Sequence, residues 1–199
     1  MISTHISKFA GISKTRIYCI LIAIIIACIK FEYSQAQTRY YVEEGKVKFE
    51  SDAPLELISA HTVKVLGIID VDKNVFAISI PVASFTGFNS SLQREHFNEN
   101  YMETEKYPKG IFKGTILGDV DLKKNGYYKV KTKGKLQLHG VEKPREIECE
   151  ITVNNDLITV KSNFKVQLVD HNIKIPTVVR QKISESIIRE TDIDNHIIN

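Results

Sequence analysis

Between Gly126 and Val166 the chain carries three long alternating segments in succession, and this run constrains the fold more than any other feature. From Tyr128 the even positions Tyr128, Val130, Thr132, Gly134, Leu136 and Leu138 share one face, while Lys129, Lys131, Lys133, Lys135 and Gln137 share the other. A period of two is the signature of a strand. The chain is expected to reverse over His139 to Pro144, after which Ile147, Cys149, Ile151 and Val153 oppose Glu146, Glu148, Glu150 and Thr152. Asn154, Asn155 and Asp156 supply the next turn. The third segment offers Ile158, Val160, Ser162, Phe164 and Val166 to the same interior. Strands of about nine to eleven residues exceed the usual five or six. With one apolar and one charged face, they predict an all-β chain whose antiparallel sheet curves around a core or a cavity.

Ahead of this block stands a leader. Lys8, Lys14 and Arg16 precede an unbroken apolar run from Ile17 to Ile29, and Ser34, Gln35, Ala36 place small residues where a signal peptidase reads them. The run is short for a membrane span. Residues 1–36 are therefore read as a signal peptide cleaved after Ala36, with 37–199 as one domain in a periplasmic or secreted location. Ile25, Ile26, Ala27, Cys28 is the competing signal, a lipobox-like stretch that would anchor the protein to a membrane through Cys28.

Removing the leader also removes the net charge. It takes away four basic residues and one acidic one from totals of 27 and 24, leaving 23 of each. A near-neutral domain has no electrostatic reason to bind nucleic acid, and the lysines of 129–135 read as a solvated face. Cys19 and Cys28 lie in the leader, so Cys149 is single in the mature domain, which must be held by its core rather than by a disulfide.

Upstream, Tyr40, Val42, a turn at Glu43 to Gly45, and Val47, Phe49 read as a hairpin-like opening. From Leu55 to Val65 the periodicity is mixed, fitting either a loop with one helical turn or an irregular strand. Gly67 to Val71 and Val75 to Val82 read as strands around Asp72, Lys73, Asn74. Ser90 with Gln93 three residues later fits a capping box, so a helix of about ten residues is expected over Leu92 to Tyr101, too polar to fill a core. A second helix is expected from Thr177, on the stripe Val179, Ile183, Ile187. Ile188 to Ile193 is the expected final strand, with Asp194 to Asn199 fraying.

Catalytic signals are weak. No two histidines stand at metal-ligand spacing, and no phosphate loop or nucleophile elbow occurs. His139 in its turn reads as a backbone-bonding side chain, His96 as a capping or packing residue, and Cys149 as a small core hydrophobe. The expectation is a protein without catalytic residues, metal or cofactor. The inward residues Tyr128, Val130, Leu136, Leu138, Ile147, Cys149, Ile151, Ile158, Val160 and Phe164 fit either a filled core or a cavity wall. Strand length and the small Thr132, Gly134 and Ser162 favour a cavity.

Two blocks carry a family resemblance. Glu95 to Glu103, followed by Lys106, Tyr107, Pro108 and Phe112, Lys113, Gly114, resembles the YceI-like family of polyisoprenoid-binding proteins. So does Gly134 to Leu138 followed by His139, Gly140, Val141, Glu142, Lys143, Pro144. The resemblance spans nearly all of the chain after Ala36. It implies an extended, eight-stranded, antiparallel, lipocalin-like β-barrel with one or two short helices. It also implies an apolar isoprenoid partner, a polyprenyl phosphate or quinone tail, held inside, with transient contact to a membrane. Phe112, Phe97 and Tyr101 would then stand near the entrance, and Arg94, Lys109 and Lys113 are weaker candidates for an anionic head group. The family's usual histidine-containing opening is replaced here by Gly45 to Phe49 and Ser51 to Leu57, and His171 and Asn172 replace an aromatic and a glycine near the end. No head-group residue carries over. The alternatives are a filled-barrel interaction module and an enzyme acting on an isoprenoid lipid.

Overall fold

The charged outer face of the three long segments fixes how they pair. They form β6 (Gly126–Leu138), β7 (Val141–Asn154) and β8 (Leu157–Gln167), long strands as expected. The structure, a computed structural model, describes residues 38–155, 157–176, 183 and 186–197 together with Tyr18. In the β6–β7 register Lys129, Lys131 and Lys133 stand opposite Glu150, Glu148 and Glu146, with charges 3.6–3.7 Å apart. Exposed pairs of this kind contribute at most about 1 kcal/mol each. Their larger effect is on register, since a one-residue slip would bury the whole ladder. On the inner side Val130 and Thr132 stand opposite Cys149 and Ile147, and Leu136, Leu138, Ile151 and Val153 are buried on the same face.

The β6–β7 turn is tighter than expected. His139 and Gly140 both take positive φ, at 48° and 73°. A two-residue turn of that hand matches strand twist, so β7 resumes at Val141 and Pro144 lies within the strand rather than in the turn. Pro144 is tolerated because β8 pairs with β7 only from Cys149 onward, leaving that edge without a strand beside the proline.

Upstream stand β1 (Arg39–Ala53), β2 (Glu56–Thr62), β3 (Leu66–Asp70), β4 (Val75–Pro81) and β5 (Lys109–Leu117), and β9 (Ser186–Ile197) ends the order. All pairings are antiparallel, in the order β2-β1-β3-β4-β5-β6-β7-β8-β9, and β1 also pairs with β9. The curled sheet thereby closes on itself. The described strands number nine rather than the expected eight. Eight of them make the ring, and β2 is the addition, paired along Val47–Ala53 of β1 where β3 no longer reaches.

Local expectations are corrected towards both ends of the chain, and one left open is resolved. The supposed opening hairpin is one strand, β1, because Glu43 to Gly45 makes a bulge against β9 instead of a reversal. The ambiguous stretch after Leu55 is strand β2, with Ile58, Ala60 and Thr62 inward. At the C-terminal end, Ile187 belongs to β9, and Asp194–Ile197 is paired rather than frayed because β9 is held on both edges, by β8 and β1. The remainder of the second expected helix, 177–182, 184 and 185, lies outside the described residues, as does the leader except Tyr18.

One short helix, α1 (Ser91–His96), continues as a single π turn, Phe97–Tyr101. Ser90 accepts from the Gln93 N–H at 3.1 Å as the capping box requires, while the Gln93 side chain reaches back to Asn89 N–H at 3.0 Å, one residue earlier than expected. The π turn shows in the Met102 N–H, which donates to the Phe97 carbonyl at 2.9 Å.

Candidate functional site

Inward-facing apolar side chains of a closed sheet either meet and fill the centre or leave a gap. Here they do both. Towards one end Val130, Ile158, Leu122 and Val153 are buried together, and Tyr128 is tied down by its hydroxyl, which donates to the Asp121 and Lys124 carbonyls at 3.1 and 2.9 Å. In the middle a slot of ≈ 80 Å³ remains. Ile147, Cys149 and Ile151 of β7 and Leu136 of β6 form one wall, with Val160 and Phe164 of β8 beside them. Phe112 of β5 closes the other side against Phe76, ring centroids 5.0 Å apart.

The slot is almost wholly apolar. Among the described residues lining it, the polar groups are Thr132, Ser162 and Cys149. Thr132 Oγ1 donates to the Ile147 carbonyl at 3.0 Å and so is satisfied internally. Burial pushes the Cys149 thiol above its ordinary pKa, with hydrogen bonds to Thr132 and Ser162 offsetting this in part. A protonated, enclosed thiol is a poor nucleophile. Alkylation of native protein at pH 8 is accordingly expected to run at least about tenfold slower than in denaturant, and filling the slot with ligand should slow it further. Equal rates in native and denatured protein would contradict the placement of Cys149.

A second space of ≈ 350 Å³ lies under α1 and the π turn. Phe97 and Tyr101 line it, together with Phe49, Ile58, Met102 and Leu168. This vestibule is more polar than the slot, with Ser51, Glu56, Ser90, Gln93 and His96 on its walls. A single apolar cluster separates the two spaces. Its Val47, Ile78 and Ile80 face the slot, and its Phe49, Phe88 and Phe97 face the vestibule. Phe97 stacks on Phe49 at 5.3 Å with the ring planes 17° apart, and Phe85 and Phe88 pack around the pair.

Of the thirteen residues singled out in the sequence, Leu136, Ile147, Cys149, Ile151, Val160, Phe164 and Phe112 line the slot and Phe97 and Tyr101 the vestibule. Tyr128, Val130, Leu138 and Ile158 line neither. They pack in the core instead, Leu138 against Leu136 and Val166. The walls contributed by β1, β3 and β4 were missed, notably Val47, Ile69, Phe76 and Ile78. The alternation of Phe76, Ile78 and Ile80 was the available signal. Arg94, Lys109 and Lys113 line neither space. Arg94 donates to the Ala83 carbonyl at 3.3 Å, and Lys113 pairs with Glu142 at 3.4 Å.

The two sequence blocks meet at one end of the sheet. The Tyr107 ring lies 4.5 Å from that of His139, and a Cβ on Gly140 would stand 2.5 Å from Tyr107. His139 bonds through Nε2 to Glu103 and through Nδ1 to the His171 carbonyl at 3.2 Å, while His171 Nδ1 contacts the Val141 carbonyl at 3.0 Å. These contacts tie the segment after the π turn to the β6–β7 turn. The motif residues thus secure the roof of the vestibule, and backbone bonding by His139 is accompanied by a carboxylate contact the sequence did not show. Among the described residues no group of three His, Cys, Asp or Glu side chains forms a metal site.

A family model for the YceI-like domain matches residues 31–194. Among solved structures, the fold is similar to a polyisoprenoid binding domain from Saccharophagus degradans implicated in plant cell wall breakdown. That match has a TM-score of 0.70 and 15% identity over 81% of this chain and 100% of that one. It is also similar to BcnA of Burkholderia cenocepacia, with a TM-score of 0.63 and 15% identity over 75% and 95%. The YCEI protein of Campylobacter jejuni gives 0.56 and 17% over 70% and 84%. No curated protein matches the sequence.

Proposed function

Because the chain belongs to the YceI-like family, we propose that it is an exported lipid-binding protein that holds an isoprenoid chain, the tail of a polyprenyl phosphate or quinone, in its slot and vestibule. One observation carries the reading. Ile78, Ile80, Phe112, Val160 and Phe164 point into a closed sheet yet remain only half-buried. Interior apolar side chains normally bury themselves against one another, so exposed ones mark a space awaiting an apolar occupant.

The slot alone is smaller than the roughly 300–1,000 Å³ of ordinary small-molecule sites, whereas the vestibule falls within that range. A several-isoprene chain therefore needs both, and its passage between them displaces the Phe49–Phe97 stack. A chain burying about 400 Å² gains roughly 10 kcal/mol at 25 cal/mol/Å². After several kcal/mol for association and ordering, micromolar affinity remains without a strong polar contact. Among the described residues lining the slot there is no base, no activated nucleophile and no charged group.

Organic extraction and lipid mass spectrometry of protein purified without detergent test this reading. An isoprenoid lipid in the extract is expected. An empty protein that also fails to take up isoprenoids in vitro contradicts it. Export is tested separately by the mature N-terminus. Gln37 as first residue is expected, in the periplasm or medium, and a diacylglyceryl Cys28 would replace that route with a membrane-anchored lipoprotein.

A further inference from the structure

The last strand places a cation on the inner face of the sheet. Arg189 of β9 stands opposite Phe49 of β1 along one edge and opposite Phe164 of β8 along the other. Opposed residues of neighbouring strands share a face, and both phenylalanines belong to the interior, Phe49 lining the vestibule and Phe164 the slot. Arg189 therefore holds an inward position where the two spaces meet. The register on either side agrees. Thr191 stands between Val47 and Ser162, which both line the slot, whereas Asp192 stands between the exposed Lys46 and Lys161. On β9, then, an acid stands among lysines on the outer face and an arginine among aromatic positions on the inner one.

A charge at an inward position among apolar walls is costly unless an anion offsets it. The vestibule wall carries a carboxylate, Glu56, which stands opposite Ala53 of β1. Ala53 lies four residues beyond Phe49, so the Glu56 and Arg189 positions are about 13 Å apart along β1 at roughly 3.3 Å per residue. Glu56 is also tied where it is, its Oε1 accepting from Asn89 Nδ2 and Gln93 Nε2 at 3.2 and 3.0 Å. A ligand that brings its own negative charge fits beside the Arg189 position without meeting Glu56. Phosphate suits an arginine better than a quinone carbonyl does, because it adds full charge and accepts two parallel N–H donors from the planar guanidinium. Partial enclosure strengthens that attraction relative to bulk water.

We propose that Arg189 anchors the head group of an anionic isoprenoid, a prenyl phosphate or diphosphate, seated in the vestibule beside Phe49 with its chain running into the slot. This rests on the isoprenoid-carrier reading above and decides between its two ligand classes in favour of the phosphorylated one.

The test is competition on the mature protein between a prenyl diphosphate and a prenylquinone of equal chain length, each displacing a fluorescent apolar reporter. The diphosphate is expected to bind at least about tenfold more tightly at low salt, and the ratio to narrow as salt screens the charges. Arg189→Gln is expected to bring the ratio to about one by weakening the diphosphate alone, and Arg189→Lys to keep part of the preference, since the charge stays and the fork is lost. Equal affinities in the wild type, or a preference for the quinone, overturn the inference while leaving the carrier reading in place. A wild-type preference that survives in Arg189→Gln overturns the role of Arg189. So does an equal weakening of both probes in both variants, which marks a residue that only supports the fold. Displacement by neither probe from the wild type overturns the carrier reading itself, and the anchor with it.

Discussion

Ser162→Phe is expected to reduce isoprenoid uptake at least about tenfold while the protein stays folded. Ser162 lies opposite Cys149 in the β7–β8 register, is half-buried and lines the slot. A phenyl ring there enters a space of ≈ 80 Å³ and occupies the path of a ligand chain. Overpacking costs about 1–3 kcal/mol where walls are tight. Half-exposed neighbours such as Phe164 and Val160 can rotate, which keeps the cost at the lower end. Thr152→Phe is the control, since Thr152 is exposed on the outer face of β7. Titration with a prenylquinone and a thermal melt read the two effects apart. Equal loss of uptake in both variants would contradict a ligand route through the slot.

The largest expected loss of stability comes from Gly134→Ala. Gly134 of β6 stands opposite Gly114 of β5. A Cβ on Gly134 would lie 2.3 Å from the Lys113 carbonyl oxygen, and one on Gly114 would lie 2.2 Å from that of Lys133. Both obstacles are backbone, so no side chain can turn aside to make room. Two facing glycines let the strands approach closely where the sheet curls. Alanine must push β5 from β6 and break ladder hydrogen bonds, at a cost of about 3 kcal/mol or more. For a chain of this size that lowers the melting temperature by roughly 6–12 °C. A change within about 0.5 kcal/mol would show that the close approach is absent.

The parts of this fold that were legible are those where solvent writes a contrast into the sequence. On β6 and β7 lysines and glutamates alternate with most of the buried residues, so period and face could be read together. On β2 the same period was hidden. Its inward face holds Ala60 and Thr62, while Leu55 and Leu57, beside the vestibule residue Glu56, remain 65% and 55% exposed. Thr62 is accommodated inside because its hydroxyl bonds to Ser84 at 2.7 Å, a partner 22 residues away. A bulge was mistaken for a turn at Gly45 because glycine and charge mark both, and only the pairing with β9 tells them apart. The ninth strand lies beyond the eight that the resemblance implied, and it fits because a continuous β1 has length enough for both β3 and β2 along one edge.

For the site, alternation identified which residues face inward but not which inward residues meet. Val130 and Ile158 alternate as regularly as Ile151 and Val160, yet they pack into solid core while Val160 borders the gap. The difference depends on where the opposite wall stands, and that wall is built by β1, β3 and β4, at least 45 residues away in sequence from β6. The vestibule was visible only as two aromatics one turn apart, Phe97 and Tyr101. Its partner Phe49 and its carboxylate Glu56 reach it through tertiary contacts that no local pattern encodes.

A crystal structure of the mature protein saturated with a prenylquinone tests the carrier claim most directly. Continuous density for the isoprenoid chain is expected between Ile151 and Phe112, with the Phe49–Phe97 stack opened and the head beneath α1. A saturated crystal whose centre holds only the protein's own side chains in their present positions, with the lipid outside the sheet or missing, would contradict it.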